Sequence, residues 1–136
     1  MVETDKAYLA ALIDGEGHIG ASNGVGYNML VLQVTNYDKD VLDWACNITG
    51  LGTVRRSNKT LWRWCTSGRQ TKQVLAMVFP YMRIKREHGF IAAQWPCIGQ
   101  GKRPGDGVRE LQAEVSKYLK ALNSYGRREY NRAQST

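Results

Sequence analysis

The stretch YLAALIDGEGHIG, residues 8–20, sets two acids, Asp14 and Glu16, among three glycines at the end of an apolar run with helical spacing. At the C-terminal end of a helix the aligned peptide dipoles disfavour negative charge. A carboxylate placed there needs compensation, and a divalent cation supplies it. Gly15 and Gly17 bare the backbone around Glu16, so a carbonyl can reach the same ion. Carboxylate and carbonyl oxygens are hard ligands suited to magnesium, which keeps several waters and accepts substrate phosphates. The alternative is a helix that ends in a solvated, glycine-rich turn.

The same stretch carries a second pattern. Ala7, Ala11 and Gly15 are four apart and line one side of the helix, which lets a second helix backbone approach closely. Tyr8, Leu9, Leu12 and Ile13 are available for the chain's own core. Cysteine chemistry is excluded: Cys46, Cys65 and Cys97 are widely spaced with no Cys-x-x-Cys, so neither a zinc site nor a disulfide frame is expected. That usage fits a reducing, intracellular compartment.

The elements that must position these residues follow an α-β-β-α-β-β-α-α-α order. Residues 5–14 have helical periodicity, and 17–23 and 27–36 read as strands joined through Asn23-Gly24-Val25-Gly26. Within YNMLVLQVTN, Leu30, Leu32 and Val34 share one face, while Met29, Val31, Gln33 and Thr35 share the other. Asp38 can cap a helix over 39–49 that packs Val41, Leu42, Ala45 and Ile48 and stops at Gly50. Strands follow at 51–57 and 61–66, then a helix from Ser67-Gly68 to about Pro80 and another from about 84 to Pro96. Residues 99–107 read as a loop, 108–123 as an amphipathic helix (Val108, Leu111, Val115, Leu119, Leu122), and 126–136 as a loose basic tail. A single domain over 1–125 is expected. The two αββ blocks are weak repeats of each other. Each hairpin keeps one apolar face for helices, which leaves Gln33, Thr35, Thr53, Arg55, Ser57 and Arg63 on an open face. In the last strand Trp62 and Trp64 could stack bases; their alternation with Arg63 favours the core.

Charge is polarised along the chain. Residues 1–54 hold two basic and seven acidic residues, for −5, whereas 55–136 hold seventeen and five, for +12. No run of 18 apolar residues exists, and no basic amphipathic segment reads as a membrane anchor. A polyanion, nucleic acid before membrane, is the expected partner. An antiparallel ribbon with an Arg-bearing face fits the DNA major groove.

LAALIDGEG, residues 9–17, closely resembles the motif that names the LAGLIDADG homing endonucleases, with Ala11 for its first Gly, Gly15 for its second Ala and Glu16 for its last acid. LQVTN at 32–36, ITGLGTV at 48–54, TSGRQ at 66–70, FPYMRIKRE at 79–87 and ALN at 121–123 are similar to the single-motif, homodimeric branch known from algal chloroplast introns. The resemblance covers residues 7–123. It implies an α+β fold, an αββαββα core with C-terminal helices, whose four-stranded antiparallel sheet forms a DNA-binding saddle. Two copies would pack their motif helices through Ala7, Ala11, Asp14 and Gly15, with Asp14 structural and accepting backbone hydrogen bonds.

The implied activity is magnesium-dependent, site-specific cleavage of double-stranded DNA at a long, pseudo-palindromic site, as in intron homing. Manganese would substitute, and calcium would support binding without efficient cleavage. Glu16 and the Gly15 carbonyl would bind the metal, Asn36 would organise the nucleophilic water, and Lys85 would offset developing charge. Candidate DNA contacts extend to His18, Ser22, Tyr27, Met29, Val31 and Lys59; Met29 and Val31 are apolar and suit thymine methyls. The resemblance leaves open an RNA-binding intron maturase and a nuclease-dead DNA-binding regulator of the same fold. It also places the gene in an organelle, or in a bacterium or phage.

Overall fold

The computed structural model describes residues 1–24, 27–98 and 104–135, with side chains described except at 22–24, 27 and 125–135. Helix α1 spans Glu3–Glu16 and runs without a linker into β1, Gly17–Gly24. Strand β2 is Tyr27–Asn36, α2 is Lys39–Thr49, β3 is Thr53–Arg56 and β4 is Trp62–Ser67. Helix α3, Arg69–Val78, continues into a 3-10 turn at Phe79–Tyr81, followed by α4, Arg86–Ala92, and α5, Asp106–Ser135. The expected order of elements is therefore the order found, and the fold is α+β.

Local chemistry accounts for the boundaries. The Asp38 carboxylate accepts a hydrogen bond from the Asp40 N–H at 2.9 Å, which starts α2, and Gly50 ends it at φ 69°. In the β3–β4 turn the Asn58 side-chain oxygen accepts from Thr60 and Leu61 N–H groups at 2.9 and 3.0 Å. All strand pairs are antiparallel, and the sheet order is β1-β2-β4-β3. The two αββ blocks thus meet through β2 and β4, each placing its second strand at the centre.

One face of the sheet carries the core. Ile19, Leu30, Leu32, Val34 and Trp64 are fully buried against Leu9, Ala10 and Ile13 of α1, Leu42 and Ala45 of α2, and Val74 and Val78 of α3. Burying a Leu or Ile side chain contributes about 1.5–3 kcal/mol, so these positions fix the phase of every strand. Trp64 settles β4: its indole N–H donates to the Leu51 carbonyl at 3.0 Å. Gly52 makes room, with φ 82° and a virtual Cβ only 2.6 Å from that indole nitrogen. Trp62 lies on the same face, half-buried, so both tryptophans pack rather than face outward.

Three expectations need correction. Tyr8 is 58% exposed and leans edge-on against Trp44 of α2 at 5.1 Å between ring centroids, while Ala10 takes its place in the core. On α5, Leu111 is 47% exposed and Gln112 turns inward, where the Pro96 carbonyl accepts from its amide at 3.3 Å. The α5 backbone also continues as helix through residues 126–135, beyond the expected end at 123. The centre of the first hairpin turn, 25–26, and most of the 99–107 loop lie outside the described residues.

Candidate functional site

The C-terminal end of α1 is built by the DGEG run. Gly17 ends the helix in an extended conformation while its N–H still reaches the Ile13 carbonyl. A Cβ at Gly17 would lie 2.6 Å from that carbonyl oxygen, so only glycine lets the chain leave the helix directly into β1. A Cβ at Gly15 would meet nothing within 4 Å. Among the described residues nothing asks for glycine there.

The two acids have different surroundings. Asp14 is 7% exposed and points into the chain. Its carboxylate accepts from the Arg83 N–H at 2.7 Å and the Lys85 N–H at 3.0 Å, and its carbonyl accepts from Lys85 Nζ at 2.6 Å. Burial holds the Lys85 ammonium below its ordinary pKa, and the Asp14 carboxylate pulls the other way. Glu16 is exposed, and one of its oxygens accepts from Asn36 Nδ2 at 2.9 Å. The other end of the Asn36 amide accepts from the Asp38 N–H at 2.8 Å, so the side chain is fixed at both ends.

Glu16, Asn36 and Lys85, drawn from α1, the end of β2 and the start of α4, therefore meet around one helix terminus. Among the described residues no three His, Cys, Asp or Glu side chains gather to hold a metal ion. One chain offers one exposed carboxylate at this terminus, and of the last four α1 carbonyls those of Ile13 and Asp14 are taken by the Gly17 N–H and Lys85 Nζ. That donor set suits a hard cation whose remaining ligands are water and phosphate. Ala7, Ala11 and Gly15 are all exposed along the outer side of the same helix.

The outer face of the sheet is ordered in rows by the strand register. Thr35, Arg63 and Arg55 form one row, and His18, Gln33, Cys65 and Thr53 the next. Met29 and Val31 lie farther along β2, half-buried, with Val31 opposite Ser67. Arg55 and Arg63 stand directly opposite one another, and among the described residues neither has a carboxylate partner. The Nε of Arg63 is buried with no hydrogen-bond partner. Like charges opposed across strands repel. A row built this way favours an acceptor or anion laid across it. Ser57 and Lys59 belong to the β3–β4 turn, and the side chains of Ser22 and Tyr27 lie outside the described residues.

Burial lowers the pKa of His18, with His88 and Lys85 adding to the effect. His88 itself pairs with the Asn123 side-chain oxygen at 2.8 Å, and Asn123 Nδ2 donates to the Ile19 carbonyl at 3.1 Å. These contacts tie α4 and α5 to β1. Sequence reasoning missed them, along with Lys39 and Arg56, whose charges lie 5.2 and 4.7 Å from the Trp62 ring centroid. The ALN block held the only signal for Asn123. Arg56 gave none, since alternation alone puts it on the helix side of the sheet.

No protein-family model and no curated protein matches the chain. Solved structures do. The homing endonuclease I-CvuI, in complex with the I-CreI target in 2 mM Mg with the DNA not cleaved, superposes with a TM-score of 0.72 at 24% identity, covering 88% of this chain and 82% of that one. The archaeal intron-encoded homing endonuclease I-Vdi141I, complexed with DNA, gives 0.69 at 13% identity over 88% and 84%. The LAGLIDADG homing endonuclease I-GzeII, in complex with its DNA target, gives 0.63 at 14% identity over 86% of this chain and 44% of its own. The chain has the fold of the LAGLIDADG homing endonucleases.

Proposed function

We propose that this chain is one subunit of a homodimeric, magnesium-dependent endonuclease that cuts double-stranded DNA at a specific, pseudo-palindromic site. The observation that carries the reading is Glu16: an exposed carboxylate at the disfavoured end of a helix, held by Asn36, with the Lys85 ammonium on the carbonyl two residues before it and, among the described residues, no cluster of acids to share a metal. A second copy brings the second carboxylate. The outer side of α1 is the natural contact, because Ala7, Ala11 and Gly15 are exposed and no described residue gives Gly15 a steric reason. The neighbours of this fold that hold DNA supply the partner class.

Each group then has a task. Glu16 and the Gly15 carbonyl would hold the cation, which when bound polarises a phosphate oxygen and lowers the pKa of its water. Asn36 keeps the Glu16 carboxylate in one orientation through its own two hydrogen bonds. Lys85 presents a positive charge beside the acid, where charge develops as a phosphodiester bond breaks. The Arg55/Arg63 row lies nearest this end of the sheet and reads bases, with guanine O6 and N7 as the acceptors that fit it. His18, Gln33, Thr35 and Thr53 line the same face. Residues 1–125 form the endonuclease domain.

The test is a supercoiled plasmid carrying a site selected from a randomised library, scored for linear product. Wild type should cleave with magnesium or manganese and bind without efficient cleavage in calcium. Glu16→Gln keeps shape and hydrogen bonding but removes the charge, so cleavage should vanish while specific binding stays. Equal cleavage by both proteins overturns the assignment of Glu16. A wild type that binds but never cuts points to a regulator.

A further inference from the structure

We infer that Asp14 is a positioning residue for cleavage: it anchors the segment that carries Lys85 and fixes the ammonium at the end of α1, on the carbonyl two residues before Glu16. The inference rests on the endonuclease reading and on Lys85 acting at the phosphate.

Met82 is seated in the core and its N–H donates to the Phe79 carbonyl, but beyond it the segment before α4 has little else to hold it: the Arg83 and Ile84 side chains are exposed, Ile84 by 74%. No strand or helix pairs these residues, so their backbone N–H groups need acceptors from elsewhere. The Asp14 carboxylate takes two of them, from Arg83 and Lys85, at 2.7 and 3.0 Å. Hydrogen bonds to an ionised carboxylate are roughly twice as strong as neutral ones. Two of them, on N–H groups two residues apart, fix the direction of the chain as well as its distance.

Lys85 closes the arrangement. Its Nζ donates to the Asp14 carbonyl at 2.6 Å, two residues before Glu16. Helix α1 has no basic residue in its last turn, so Lys85 supplies the cation that the negative end of the dipole favours. Side chain, backbone and ammonium thus converge on one residue, 69 to 71 positions away in the sequence. A reacting group misplaced by 1 Å can lose about 100-fold in rate. The anchor therefore belongs to the chemistry as well as to the fold.

A double-mutant cycle on single-turnover cleavage tests this, with duplex affinity measured in calcium and amide hydrogen exchange followed at residues 83 and 85. Asp14→Asn should slow cleavage about 100-fold, leave affinity within about 3-fold, and speed exchange at both amides. Asp14→Asn combined with Lys85→Met should be no slower than Lys85→Met alone, because both changes remove the same contribution. If the double variant loses the product of the two single effects, or if exchange at 83 and 85 is unchanged, the inference is overturned. Should Asp14→Asn not fold, Asp14→Glu takes its place in the same cycle, keeping the charge on a longer arm. A wild type that does not cleave overturns the endonuclease reading and the positioning role together, while the exchange measurement still decides the anchor.

Discussion

Alanine at Gly15 and alanine at Gly17 should act in opposite ways, although the two positions are one residue apart. At Gly17 the new Cβ would sit 2.6 Å from the Ile13 carbonyl oxygen and 3.1 Å from the Ile13 Cα, both backbone atoms that cannot swing aside. Relief requires the helix end or the first residues of β1 to shift. Overpacking of this kind costs roughly 1–3 kcal/mol, which for a domain of this size lowers Tm by several degrees. At Gly15 the Cβ meets nothing within 4 Å, and the position lies in the last turn of an exposed helix side. Replacing a helical glycine by alanine there stabilises the lone chain by up to about 1 kcal/mol. In the proposed dimer two added methyls, one from each copy, would enter the contact between the two α1 helices. The same overpacking range then weakens association about 5- to 150-fold, taking 1.4 kcal/mol per factor of ten. Thermal melts at low concentration, paired with sedimentation equilibrium over a concentration series, separate the two effects. Gly15→Ala should melt at or above wild type yet dissociate more readily. An unchanged dimer would mean that the outer side of α1 is not the contact, and a Gly17→Ala protein as stable as wild type would refute the steric argument.

Arg55→Gln and Arg63→Gln should each relieve cross-strand repulsion and raise the stability of the free protein by about 0.2–1 kcal/mol. The same variants should lose about 1–3 kcal/mol of preference at a guanine position; a selection profile left unchanged by both would remove the row from base reading. Acid should destabilise the protein through His88 and, beside it, His18, both held below their ordinary pKa by burial. Burial sets the folded pKa of His88 below the ordinary 6.5, with Lys85 adding to that and the Asn123 hydrogen bond and Glu87 opposing it. Below about 6.5 the unfolded chain therefore binds the proton first, so stability falls as pH drops towards the folded value. His88→Gln should flatten that limb of a Tm-against-pH curve, and an equally steep limb would assign it elsewhere. Affinity for duplex DNA should fall steeply with salt, given the +12 carried by residues 55–136.

Much of the fold was legible because local rules agree with the packing. The Asp38 cap, the Gly50 stop and the alternation of Leu30, Leu32 and Val34 each bind near neighbours, so sequence spacing suffices. The face of Trp62 and Trp64 was legible for the same reason. What sequence could not give are contacts made by tertiary partners. Tyr8 is drawn outward by Trp44, which belongs to another helix. Gln112 displaces Leu111 from the core because the Pro96 carbonyl, 16 residues away, accepts its amide. Periodicity treats a helix face as apolar or polar and cannot see a single waiting acceptor. In the candidate site, Glu16 could be picked from its motif and its place at the helix end. The orientation of Asn36 could not, since it depends on Asp38 taking one end of the amide and Glu16 the other.

The acids of the DGEG run show where electrostatic reasoning from sequence stops. Two carboxylates at the negative end of a helix look alike on paper, and one cation could serve both. In the folded chain they are answered differently. Asp14 is neutralised from within, by two N–H groups on its carboxylate and an ammonium on its carbonyl. Each of its carboxylate oxygens already takes an N–H, and at 7% exposure it offers a metal little access. Glu16 receives a single amide N–H and stays open to solvent. The Lys85 ammonium is engaged by the Asp14 carbonyl, so the burden of compensating Glu16 falls on whatever binds next to it. In the proposed endonuclease this separation would have a functional logic: a buried acid that satisfies itself would hold Lys85 still, and an exposed acid with one hydrogen bond would take and release a cation together with its phosphate. Exchanging the two residues, Asp14 to glutamate and Glu16 to aspartate, preserves the net charge and the motif chemistry. It would lengthen the anchoring arm and shorten the open one, so both the Arg83 and Lys85 contacts and the Asn36 contact would be lost together.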